Sequence, residues 1–524
     1  MKKSLKDRFY VWASNWSLDW LEKLPKFEGG GIADRQHVRK RQREEAKKAQ
    51  EHTKQPKDTS VDFLFFRLIE VFHIEDVARL RRGVKKLLPF VDSIFWHSDF
   101  SDMLAQQANQ IQSGGGFNLG YLVRDDKSFL GTESRVLPEL PEEVSDIHLF
   151  LRHIYPSLFV ITFDVFLTKD ATNRLMRVHG KERLSTVRFL KLIPWGIKAW
   201  SMAGENTSER AIRHEVLRWI DELRGKVEAC IRPYLKGHFF SQSPGKQSAL
   251  PAIEVIALKG APSNPEEFDK WLKEHRAWWW SLGFGHDFLM YKSNSLLHVD
   301  PGNDSPYGRT VQRFVPLWES YWQAVPDMWR NHGERNAIAF NMAAFLDSLL
   351  TIFVLIEYLQ SVQKNIEKLR DQSFGKMRPS WRLALRMNKY IKLNDAIQRQ
   401  DMLLNRIAME YEHSKKQLEI DVNGAASGLK MNDSHFAKHL GSTLSERFLK
   451  YIGYYFEFLK KNLAFISESF SQHLATRNME IMYQLQRRMF WLTVVVTVAT
   501  FLTVFASWEN IKTFYSELKK LLGY

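Results

Sequence analysis

Cysteine is almost missing from this chain. Cys230 stands alone among 524 residues, which excludes an intrachain disulfide and any Cys-rich metal centre. The usual phosphate, metal and hydrolase signatures are missing as well. There is no GxxxxGK followed by Ser or Thr, no GxGxxG, no HExxH and no GxSxG. A clean signal peptide is also lacking, because the early apolar stretch FYVWASNWSLDW is interrupted by Asn15 and Asp19. Disorder throughout is excluded by composition, at 44% apolar and 26% charged.

What is present begins with charge. The formal net charge is +15, and three segments carry all of it. Residues 1–8 contribute +3, residues 35–57 contribute +6 and residues 372–394 contribute +6. The remainder is neutral, so the chain carries local basic patches and not a basic surface. No nucleic-acid-binding module is recognisable, so the leaflet of a bilayer is the expected anion and nucleic acid is not. Arg378, Arg382, Arg386 and Lys389 share one helical face in the third segment and are the candidate anion- or lipid-binding residues.

Met489 to Trp508, MFWLTVVVTVATFLTVFASW, is twenty residues without charge or proline. As a helix it spans about 30 Å, the thickness of a bilayer core. Trp491 and Trp508 sit near its ends, and Arg487 and Arg488 stop it on one side. Three basic residues flank each side, so charge leaves the orientation tied. The lack of an export signal predicts a cytoplasmic body at the cell membrane with a single C-terminal anchor. Thr493, Thr497, Thr500, Thr503 and Ser507 fall on one third of the helix circumference. Such a hydroxyl face predicts contact with other copies or with a wet pore, unless the hydroxyls bond back to their own carbonyls. Beyond the span, Ile511, Phe514, Tyr515, Leu518, Leu521 and Leu522 form an apolar face, expected in 509–524 as an interfacial helix on the far leaflet. A second apolar run, 337–358, contains Asn341, Asp347 and Glu357 and is expected as a buried core helix.

The expected fold is an α+β cytoplasmic domain followed by long coiled-coil-like helices and one C-terminal transmembrane helix, predominantly α overall. Residues 1–60 form an aromatic amphipathic helix and a charged linker. Residues 61–330 form the α+β domain, with FLFFRLIEVFHIEDVARLRRGVKKLLPFV predicted as two helices and Asp76 as a helix cap. SGGGFNLGY, 113–121, is predicted as a loop, and strands are predicted at 158–167, 253–258, 288–291 and 296–299. Residues 331–488 form a helical domain and stalk. Heptads run through Tyr390, Ile397, Leu404, Tyr411 and Leu418, then, after a break at 422–428, through Leu449, Phe456, Leu463 and Phe470 in a second helix starting near 434.

Chemistry-bearing residues are sparse. His286–Asp287 and His298–Asp300 lie near predicted strands and are more often surface pairs than a metal or acid–base cluster. Glu254 and Lys259 flank a strand without sharing a face. Trp278, Trp279 and Trp280 cannot all point one way, and core packing accounts for most of them. No catalytic residue, metal ligand or cofactor is assigned. In outline the layout resembles CorA-type divalent-cation channels, with a cytoplasmic α/β body, long helices and a stalk entering the membrane. That family's Gly-Met-Asn motif and second span are absent here, so no channel residue carries over.

The expectation is a tail-anchored membrane protein, homo-oligomeric through stalk and span. A cytoplasmic domain would bind a ligand or protein and couple to a membrane effector, a pore or a perturbation. The alternatives are a membrane-tethered scaffold and a membrane-associated enzyme.

Overall fold

The computed structural model describes residues 51–523 apart from 52, 95–99, 101, 103, 105–115, 125–133, 181–185, 190–201, 207, 244–248, 285–290, 294–296, 301–311, 377–386 and 432–440. The chain is predominantly helical, with a mixed sheet and a long C-terminal apolar helix. It divides into two units. The first is 1–359 with 407–454, and the second is 360–406 with 455–524.

The first unit is built on the sheet. In chain order the strands are β1 (Ser60–His73), β2 (Gly116–Val123), β3 (Ser134–Val136), β4 (Val144–Tyr155), β5 (Leu158–Leu167), β6 (Thr186–Phe189), β7 (Met202–Asn206), β8 (Ala252–Lys259), β9 (Tyr291–Ser293), β10 (Leu297–Asp300), β11 (Gln312–Pro316) and β12 (Lys430–Met431). Among the described residues, ten of them form one sheet in the order β12-β9-β10-β11-β8-β1-β5-β4-β2-β3, while β6 and β7 pair separately. Neighbours run antiparallel except β11 with β8 and β2 with β3, which are parallel.

The helices that matter for the argument are α1 (Val77–Leu87), α2 (Lys169–His179), α3 (Ser208–Ile231), α4 (His238–Gln242), α5 (Pro265–Glu274), α6 (Arg276–Ser281), α7 (Glu334–Lys376), α8 (Met387–Ala426) and α9 (Leu444–Leu521). The start of α7 covers one sheet face. Phe340 packs on Phe166 of β5, and Phe345 and Phe353 meet Phe314 of β11. On the other face α4 packs on β1 and Arg224 of α3 reaches Glu254 of β8, with Phe239, Trp278 and Trp279 buried.

The run 337–358 is therefore core, as expected: thirteen of its residues are buried, among them Ile338, Leu346, Phe353 and Leu355 at 0–1% exposure. The strands expected at 158–167 and 253–258 form as β5 and β8, and Leu297–Asp300 forms as β10. Tyr291 opens β9, while the rest of the 288–291 expectation lies outside the described residues.

Three expectations need correction. The run beginning at 61 is not two helices, because its first half is the fourteen-residue strand β1 and only α1 is helical. β1 is covered on both faces, so its apolar residues do not alternate and their period is uninformative. Asp76 stands at the α1 cap position without a side-chain capping bond. Residues 116–121 of the expected glycine loop are strand β2, and the register shift between Asn118 and Gly120 shows why. Gly120 takes φ +115 in that bulge, and its N–H donates to Asn118 Oδ1 at 2.9 Å. The expected break at 422–428 is shorter than proposed, since α8 continues to Ala426. The next helix is described from Leu444, and 434–440 lies outside the described residues.

The second unit is helical among its described residues, made of parts of α7, α8 and α9. The heptad residues Leu393 and Leu404 are buried, as are Ile452, Phe456, Leu459, Leu463, Ile466 and Phe470 along α9. These faces are filled within a single chain. Beyond His473 and Leu474, the described residues of α9 are exposed to its end apart from the half-buried Val494 and Ser507.

Candidate functional site

The sheet centre carries ions where a hydrophobic core is usual. Arg67 of β1 lies opposite Asp164 of β5 in the strand register. Its Nε and Nη2 donate to Asp164 Oδ1 and Oδ2 at 2.5 and 2.6 Å. Nη2 also reaches the Ala343 carbonyl at 3.1 Å, and Nη1 lies 2.8 Å from Asp347 Oδ1, both on α7. Asp347 Oδ2 holds Arg152 of β4 at 2.5 Å. Burial alone would lower the Arg67 pKa, but Asp164 and then Asp347 outweigh it and the value is raised.

A second cluster occupies the opposite face. Glu254 of β8 is fully buried and accepts from Arg313 Nε of β11 at 2.7 Å and Arg224 Nη1 of α3 at 3.3 Å. On the same face, Glu70 accepts N–H bonds from Val71, Phe239 and Phe240 at 2.9, 2.8 and 3.0 Å. Burial pushes its pKa up to about 8 despite those donors. These groups are partnered and closed from solvent, so they organise the core and present no reacting atom to a substrate.

The histidine candidates divide. His298 is buried and stacked on Phe268, with centroids 4.1 Å apart, and burial lowers its pKa to about 3. Asp300 is buried on the same strand. His286 and Asp287 lie outside the described residues. Among the described residues no group of three His, Cys, Asp or Glu side chains is placed to hold a metal ion. Of the three tryptophans, Trp278 and Trp279 are core, and Trp280 lies under the Arg213 guanidinium at 4.8 Å. The buried His179 shares a 2.8 Å hydrogen bond with Ser281 Oγ, which itself donates to the Trp278 carbonyl. That hydroxyl is committed to backbone and is no nucleophile.

The open surface is at α9. Among the described residues two helices are long and apolar enough to cross a membrane, and they differ in one respect. The apolar window of α7 is 56% buried, whereas that of α9 is 0% buried. Trp491 and Trp508 stand exposed near the two ends of the α9 run, and Arg487 and Arg488 stand exposed before it. All five hydroxyls bond back along the helix. Thr493, Thr497, Thr500, Thr503 and Ser507 donate to the carbonyls of Met489, Thr493, Val496, Ala499 and Thr503 at 2.7–2.9 Å. Their protons are thus used, and the oxygens keep acceptor capacity. The residues expected as an interfacial tail helix are helical to Leu521, as a continuation of α9 through Trp508 and Glu509.

Of the basic candidates, Arg378, Arg382 and Arg386 lie outside the described residues, and Lys389 belongs to the first turn of α8. Compared with protein-family models, curated proteins and solved structures, the chain matches none.

Arg67, Asp164, Arg224 and Arg313 belong to no sequence motif, and Glu254 shares no strand face with Lys259. The signal was a single ion inside an otherwise apolar strand, as in FLFFRLIE, LFVITFDVFL and AIEVIALK. An ion so placed needs a partner on the neighbouring strand or helix.

Proposed function

We propose that the chain is a membrane protein whose α9 run 489–508 crosses the bilayer and whose sheet unit works on the cytoplasmic side. Copies associate through α9. The sheet unit binds a cytoplasmic ligand or protein, and the membrane part responds as an effector, by permeation or perturbation. The observation that carries this reading is the contrast between the two apolar helices, one half-buried against its own sheet and the other wholly bare. A bare run of this length would expose a large apolar surface to water, and a bilayer removes that cost. The test is alkaline extraction of membranes from cells expressing the full chain, with dye release from the same vesicles. Retention with release supports the reading, and extraction into the soluble fraction removes it.

The scaffold alternative has one observation in its favour. The five hydroxyl protons are held by carbonyls of their own helix, which leaves none pointing at a water column. Membrane retention without release selects this alternative.

A further inference from the structure

Helix α9 uses two faces in succession. Up to Phe470 the filled face, at Phe456, Leu463 and Phe470, is packed within its own chain. From 475 onward a different sector, centred roughly 100° around the helix at 100° per residue, carries the pattern. Inside the span this sector holds all five hydroxyl residues. Past the span the same third of the circumference holds Ile511, Phe514, Tyr515, Leu518, Leu521 and Leu522. These are exposed, Phe514 at 64% and Leu521 at 88%. Before the span it holds the exposed Met479 and Met482 together with the uncharged Asn478 and Gln486. Because α9 is one helix through 508 and 509, the alignment is fixed by the backbone.

The polarity of this sector is reversed relative to each medium. Where the helix lies in hydrocarbon, the sector carries every hydroxyl, interspersed with Met489, Val496 and Val504, and apolar residues take the rest. Past Trp508, where the helix stands in water, the sector is its apolar side, with Lys512, Lys519 and Lys520 off it. Lipid does not favour the first half, and water does not favour the second. A protein surface with the same reversal at the same depth suits both. A second copy inserted the same way has that reversal by construction, in register.

Charge agrees with this choice. Parallel copies bring identical side chains together, so any ion on the contact face would meet its like. From 475 to 522 the sector contains none. Arg487 and Arg488, and Glu509 and Glu517, all fall outside it. We propose that a second, parallel copy of the chain covers this sector of α9, from the residues before the span to Leu522. This deepens the membrane reading above and rests on it.

The test places single cysteines on full-length chain carrying Cys230→Ser, so that each copy has one thiol. Phe514→Cys and Leu518→Cys lie on the sector, and Thr513→Cys and Ser516→Cys lie off it. Two differently tagged copies are expressed together, and washed membranes are treated with a short bifunctional maleimide. The expected result is a product carrying both tags, several-fold stronger at 514 and 518 than at 513 and 516. Equal yields, no product in membrane-borne chain, or linkage only to another protein would overturn the proposal. Chain recovered only in the soluble fraction would overturn the membrane reading as well, and the fractionation shows which has failed.

Discussion

Arg67 and Asp164 face each other across neighbouring central strands, joined by two hydrogen bonds at 2.5 and 2.6 Å with side chains 0% and 1% exposed. A pair this buried stabilises little relative to apolar residues of the same size, yet removing one member strands the other. Asp164→Ala should therefore cost about 3–5 kcal/mol, while the double change Arg67→Met with Asp164→Leu should cost far less. Urea unfolding of the two variants measures the difference. Equal losses would show that the ions act independently.

Glu70 sets a pH dependence of definite sign. Its folded pKa of about 8 lies above the ordinary 4.5, so the folded chain holds the proton more tightly. Its contribution is complete below pH 4.5 and is lost as pH rises through about 8. The buried His238 and His298, both lowered to about 3, run the other way and weaken the fold as pH falls below 6.5. Between pH 6.5 and 8 those histidines are neutral in both states, so Glu70 acts without them. Stability should fall across that window, and Glu70→Gln should flatten the fall in the urea midpoint.

Gly237 has no room for a side chain. A Cβ there would lie 2.4 Å from the Val71 carbonyl oxygen and 2.8 Å from Glu70 Cδ. Gly237→Ala must push the start of α4 off the sheet and loosen the N–H donors of Phe239 and Phe240 from Glu70. A loss of about 1–3 kcal/mol is expected, with the Glu70-dependent pH slope altered in the same titration. Gly424→Ala, with nothing within 4 Å of the new atom, is the matched control and should not destabilise.

Replacing Thr497 and Thr500 with Leu separates the two membrane readings. Both back-bonds vanish, but helix propensity and hydropathy rise, so insertion should be unchanged or better. Under the effector reading, dye release from vesicles is abolished while membrane retention stays. Unchanged release would remove the hydroxyl face from any conducting role.

Deleting 489–524 should move the chain from the membrane pellet to the supernatant. The sheet unit should keep its thermal transition, because the deleted residues belong to the other unit. Retention in the pellet would mean that a different segment holds the chain to the bilayer.

Much of this was legible in the sequence where one physical signal dominated. The long apolar run of α9 showed as twenty uncharged residues. The buried state of 337–358 showed through Asp347, an ion that is expensive in lipid and finds Arg67 and Arg152 in the fold. β5 was legible because Val, Ile and Phe crowd a short run. β1 was not, since burial on both faces erased its alternation and left a run that fits a helix equally well. β2 was hidden by glycines that serve a bulge. The ion clusters were illegible as clusters, because Arg67, Asp164 and Asp347 are joined only by the strand order. Inside the run 489–508 the hydroxyl spacing was plain, but its continuation into the face beyond Trp508 needed the unbroken helix.

Strand order also sets a timetable. Arg67 is translated early, Asp164 about a hundred residues later, and Asp347 only after nearly all of the sheet has been made. Until α7 emerges, the guanidinium at the centre of β1 has one of its two carboxylates and no cover on that face. The nascent sheet therefore carries an incompletely neutralised ion through most of synthesis. Arrival of the segment beginning at Glu334 both closes the apolar face and completes the charge balance. Assembly of this unit should accordingly be cooperative and late, waiting on the helix that begins at Glu334.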